Sequence, residues 1–242
     1  LRDFFLRVCR IVRSHGPDKI LFTHAHNRFV PFVHGLGDLW LPGEQYNHFW
    51  IKNVDSFYTD GIPLEEWQSA YNAKAHGCAY AMHCALWMYP ELALGKPKGP
   101  RYDTVQHTTM WMVPCLLHDI NVTALMNHRQ TVERWFVIKH DIDLAAAEFH
   151  GYWFSDAVKS ASPRVYASWY EWSKPSSWKR LIVVGNMGGE DRKAALTIDW
   201  KKLGVDPKKA VFRDLWEDKP VSDLNNLTVG KRNFLLIGVA EK

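Results

Sequence analysis

Apolar and polar positions follow one rhythm up to about residue 160 of this chain and another beyond it. In DFFLRVCRIVRSH (3–15), Phe4, Val8, Ile11 and Val12 share one helical face, with Arg7, Arg10 and Arg13 elsewhere. Gly16-Pro17 ends that helix. KILFTH (19–24) is a short apolar strand, and FVPFVHGLG holds at most a turn or two of helix. DLWLPGEQY (38–46) is a second strand, broken by Pro42-Gly43. PLEEWQSAYNAKAHG (63–77) predicts a helix, with proline near its first turn and glycine at its end. CAYAMHCALW (78–87) is a third apolar strand. Helical patterns follow at 104–120, with Pro114 as a kink, and at about 128–142.

After SASPR (160–164) the runs become short and β-like: RVYASWYEW, KRLIVVGNM, KAALTIDW, KAVFRDLW, NLTVG and NFLLIGVA. Turn chemistry separates them, as in GGED, KKLGVDPK and LWEDKP. In ALTIDW, Leu196, Ile198 and Trp200 alternate with Ala195, Thr197 and Asp199, the period of a half-buried strand. The expected fold class is therefore α/β followed by all-β. Helices alternating with strands imply a parallel sheet, and the closely spaced strands imply an antiparallel β-sandwich. The expected domains are residues 1–158 and 159–242. A complete (β/α)8 TIM barrel takes about 250 residues, so the first domain is expected to be a partial barrel that holds only the last strands.

Composition narrows the classes. The chain has 242 residues, 47% of them hydrophobic and 23% charged, which is ordinary for a globular protein. No apolar run reaches the length of a membrane span. A net charge of +4, with Lys and Arg scattered, argues against nucleic acid as a partner. There are twelve Trp, nine Tyr and twelve Phe, with dense clusters in WMYPE, MWM, YWF and YASWYEW. Indole faces suit both core packing and the C–H faces of sugars, and for any single Trp the core is the first expectation. Cys9, Cys78, Cys84 and Cys115 show no paired spacing and read as free thiols. The chain opens on Leu1, inside an amphipathic pattern by Asp3, so an upstream segment and any export signal with it are expected. Oligomeric state is not readable.

The first candidate chemistry is LFTHAHNRF (21–29), an apolar run that ends in His24 and His26, then Asn27. His-x-His at a strand end can hold a metal or hydrogen-bond a polar ligand. A metal site of amidohydrolase type needs further His and Asp ligands from later strands. His83 lies near the third strand's end and His140-Asp141 falls on a helix, so the set is incomplete. The expectation is no metal and no cofactor.

The motifs GDLWLPGEQY, YTDGIPLEEWQSAY, LLHDINV, AEFHGYW and LIVVGNMGGEDRKAALTIDWKKLGV occur in this order. Together they resemble the C-terminal half of glycoside hydrolase family 123-like proteins, over most of the chain. The resemblance implies a TIM-barrel glycosidase with a C-terminal β-sandwich and a carbohydrate substrate, and it leaves room for a secreted or periplasmic location. Glu44 follows LWLP, where a barrel strand would open onto the active face. Glycoside hydrolysis needs carboxylates flanking the scissile bond, unless the sugar's own acetamide replaces one. Glu44 and Asp119 are the candidate catalytic pair. His24, His26, Asn27, Tyr46, His83, Trp87 and Tyr89 are candidate sugar-binding residues. Two other readings stay open: a non-catalytic carbohydrate-binding protein, and a metal-dependent amidohydrolase-type hydrolase using His24 and His26.

Overall fold

The amphipathic run near the amino terminus folds as helix α1 (Arg2–Ser14), which stops ahead of Gly16 at a φ of 135°. The computed structural model describes residues 2–24, 35–41, 60–71, 79–82, 104–124, 127–174 and 177–242. The chain divides into two units: residues 1–103 with 120–127, and residues 104–119 with 128–242.

The first unit holds a four-stranded parallel sheet in the order β1 (Phe22–Thr23), β2 (Leu39–Trp40), β3 (Ala79–Met82) and β4 (Asn121–Val122). The register runs Thr23 to Trp40 to Tyr80, then Met82 to Val122. Asp38 sits at the amino end of β2 and accepts the Leu21 N–H at 2.6 Å, with Arg13 of α1 on its other oxygen. These partners, the Leu21 N–H first, lower its pKa and make it a structural residue. Helix α2 (Leu64–Ala70) buries Trp67 completely, with Tyr71 5.3 Å from it.

The second unit is built on a six-stranded antiparallel sheet. Its strands are β5 (Ala147–His150), β7 (Val165–Trp172), β8 (Arg180–Asn186), β11 (Ala210–Asp214), β12 (Lys219–Val221) and β14 (Phe234–Glu241). They are ordered β12-β11-β14-β8-β7-β5. Helices α3 (Val105–Leu117) and α4 (Arg129–Asp141) belong to this unit. Ser168 donates to the Leu117 carbonyl at 2.8 Å, and Trp172 donates to the Asp143 carbonyl at 2.9 Å. Side chains of opposite parity, Val165, Ala167, Trp169, Ile182, Val184, Ile237 and Val239, enter a core with Val158, Leu196, Leu203 and Val229. Those last residues come from the pairs β6 (Val158–Ser160) with β10 (Leu196–Ile198) and β9 (Arg192–Lys193) with β13 (Thr228–Val229), and from the short helix α5 (Trp200–Leu203). With both faces covered, β8 is an apolar run rather than an alternation.

The expected boundary at 158/159 is not where the chain divides. Helix α3 precedes the β-rich run in sequence but packs on its sheet, α4 packs on α3, and β5 already pairs with β7. Strand β4, only two residues long, lies just past the predicted helix 104–120, and no strand was expected there. Cys9 and Cys115 are free thiols, and burial raises the Cys115 pKa well above its ordinary value. Among the described residues no helix is long and apolar enough to cross a membrane.

Candidate functional site

In a parallel sheet the carboxyl ends of all strands open on one side, where ligands gather. Thr23 ends β1 and His24 follows it, exposed; Trp40, 4% exposed, ends β2; Thr123 follows β4. Gly37 lets the chain pass close to Thr23, since a Cβ there would lie 3.0 Å from the Thr23 Oγ1. Asn127, 6% exposed, donates to the Thr123 carbonyl at 2.7 Å and secures the segment beyond β4. His24 thus stands at the strand end that the sequence predicts. His26, Asn27, Glu44, Tyr46, His83, Trp87 and Tyr89 lie outside the described residues.

Asp119, the other candidate catalytic residue, is among the described residues. It precedes β4 in the chain, at that strand's amino end, and belongs to the second unit. Its backbone is left-handed, at φ 56°, just past the end of α3. Its Oδ1 accepts from the Tyr170 hydroxyl at 2.9 Å. Burial raises its pKa, while the Tyr170 bond and the Lys139 charge pull the other way. This bond to a tyrosine of the central sheet ties the helix end to the strand.

Beside it His118 is fully enclosed, at 1% exposure. Its Nδ1 lies 2.7 Å from the Pro114 carbonyl and its Nε2 3.1 Å from the Tyr152 hydroxyl. A carbonyl can only accept, so Nδ1 carries the proton and Nε2 accepts from Tyr152. Burial drives its pKa down to about 4, so the ring is neutral. Trp153 stacks on it at 5.1 Å. The motif LLHDINV showed both residues, yet nothing in a sequence tells a buried helix-end histidine from one that faces substrate.

Glu148, His150 and Glu171 bring three ligand atoms within 4.8 Å of one another. Glu148 and Glu171 face each other across β5 and β7, a repulsive pairing unless compensated. His150 Nε2 lies 3.0 Å from one Glu171 oxygen and Arg180 3.1 Å from the other. Arg180 is held independently by the Leu203 and Lys179 carbonyls, both at 2.6 Å. Its fixed positive charge beside Glu171 disfavours a second cation. The His150 ring lies flat on Trp169 at 3.9 Å. The group reads as a compensated cross-strand ladder.

Residues 131–237 match the family model described as glycoside hydrolase 123, C-terminal domain. The fold resembles that of an α-amylase from Geobacillus thermoleovorans complexed with acarbose, at a TM-score of 0.61 and 11% identity, covering 100% of this chain and 58% of that one. It also resembles a maltogenic amylase from S. marinus, at a TM-score of 0.51, 14% identity and coverage of 98% and 34%. A third is a GH27 β-L-arabinopyranosidase from Geobacillus stearothermophilus in complex with arabinose, at 0.51, 9%, 100% and 55%. The chain therefore spans between a third and three-fifths of these structures. Among curated proteins none matches it in sequence. Over residues 131–237, a little under half of its length, the chain is similar to the glycoside hydrolase 123 C-terminal domain.

Proposed function

We propose that this chain is part of a glycoside hydrolase that cleaves glycosidic bonds in a glycan. The match of residues 131–237 to the glycoside hydrolase 123 C-terminal domain carries this reading. The parallel strands β1 to β4, neighbours in sequence order, are taken as the last strands of a (β/α)8 barrel. The six-stranded sheet with strand pairs over one face is taken as the β-sandwich, entered through α3 and α4.

On this reading the carboxyl rim of the parallel sheet is the active face. Glu44, four residues beyond Trp40, is the general acid and gives its proton to the leaving glycosidic oxygen. A second carboxylate, or the sugar's own acetamide, supplies the nucleophile or base. His24, His26, Asn27 and His83 hydrogen-bond sugar hydroxyls, while Tyr46, Trp87 and Tyr89 stack on the sugar faces. Asp119 belongs to the scaffold.

A panel of aryl glycosides tests the reading. The intact protein should release the aryl group from at least one of them, at a rate unchanged by a chelator. Glycan binding without any cleavage would make it a carbohydrate-binding protein instead. Stoichiometric zinc that survives chelation and dialysis, and is lost in His26→Ala, would turn the site into a metal-dependent one.

A further inference from the structure

We propose that the second unit carries a separate, non-catalytic site for a neutral oligosaccharide, in the cleft between the start of α4 and the turn after β11. The cleft encloses about 470 Å3 and is lined by Gln130, Arg134, Asp214, Trp216, Glu217 and Asn233, among others. That volume is in the range of small-molecule sites, roughly 300–1,000 Å3.

Trp216 is fixed before any ligand arrives. The Asp214 carboxylate, 7% exposed, accepts from the backbone N–H of Trp216 at 2.9 Å and of Glu217 at 3.3 Å. Phe234 meets the indole edge-on at 5.0 Å. The Arg134 guanidinium lies 4.7 Å over the ring and donates to the Trp216 carbonyl. A wall held from three sides loses little freedom on binding, which favours affinity.

The shape points to a chain-like ligand. Arg134 and Trp216 also line a neighbouring hollow of about 360 Å3. That hollow shares Asp141, Ile142 and Ser177 with a third, of about 590 Å3. Three hollows in a row suit several linked units better than one compact molecule.

The charge points to a neutral ligand. Arg134 faces Asp214 and Glu217 in the first hollow and Asp141 and Asp218 in the second; Lys174 faces Asp141 and Asp143 in the third. No hollow has a surplus of cations, so phosphate, sulfate and nucleic acid find no complement. Planar amides, carboxylates and a guanidinium beside an indole are groups that take paired hydroxyls and an apolar sugar face. The exposed Gln130 amide has no hydrogen-bond partner among the described residues and is available for this.

The test is a titration of the 242-residue chain, followed by NMR of its indole N–H groups. Maltotetraose, xylotetraose and chitotetraose are the neutral probes and tetragalacturonate the anionic one. At least one neutral probe should shift the Trp216 indole saturably. Trp216→Ala should weaken that probe at least tenfold, and Gln130→Ala, which alters one exposed side chain, should weaken it as well. Glu44→Gln should leave the affinity unchanged, so that loss of hydrolysis and loss of this site are read separately. The proposal is overturned if no neutral probe shifts Trp216, if shifts appear only at the Trp40 indole at the rim of the parallel sheet, or if tetragalacturonate binds more tightly.

Discussion

His118 and Asp119 are neighbours in sequence with opposite electrostatic responses to burial, and both are visible in pH. Burial lowers the His118 pKa from an ordinary 6.5 to about 4, so the unfolded chain takes up the proton first. Its contribution is fully present above pH 6.5 and is lost as pH falls towards 4. At about 1.4 kcal/mol per unit, the loss is on the order of 3 kcal/mol. Asp119 runs the other way: its raised pKa adds stability at low pH that is lost as pH rises through the folded value. Denaturant melts of wild type and His118→Gln between pH 4 and 7 isolate the histidine, and the variant should show the shallower dependence. Equal slopes would mean that His118 is not buried as a neutral ring. At this scale LLHDI announced the residues but not their direction, because direction is set by Tyr152, Pro114 and Tyr170, which lie up to 51 positions away.

At the level of elements, the contact between α3 and β8 depends on one missing side chain. A Cβ at Gly185 would lie 2.7 Å from Leu117 Cδ1 and 3.0 Å from Val113 Cγ1. Leu117 is fully buried, so neither partner has room to withdraw. Gly185→Ala should therefore cost about 1–3 kcal/mol, the usual range for overpacking a core. A chemical melt checks this, and an unchanged midpoint would show that the helix can ride further from the sheet. The strands β7, β8, β11 and β14 were legible because each is a run of apolar or alternating residues bounded by turns. Strands β4 and β6, of two and three residues, offer too few positions to display a period.

For the whole chain, the change of rhythm near residue 160 is real, but it is not the division between units. Periodicity reports that 104–120 and 128–142 are helical and cannot report which sheet they cover. Val113 and Leu117 of α3 lie against Gly185 of the six-stranded sheet. Hydrogen exchange follows such cooperative units. The amides of 111–117 and 132–141 should open together with those of 165–172, 180–186 and 234–241. Opening together with 79–82 would assign the helices to the parallel sheet instead.

On the proposed function, the carboxyl rim of that parallel sheet is the active face, with Glu44 as the reacting group. Replacing Glu44 by Gln keeps the shape of the side chain and removes the proton that a general acid must deliver. The decisive measurement is kcat and Tm of the intact protein, wild type against Glu44→Gln, on a glycoside that the wild type cleaves. Loss of a general acid lowers the rate by about 10²–10⁴-fold, and the account predicts that loss with an unchanged Tm. An unchanged kcat with a lowered Tm would contradict it and make Glu44 part of the scaffold.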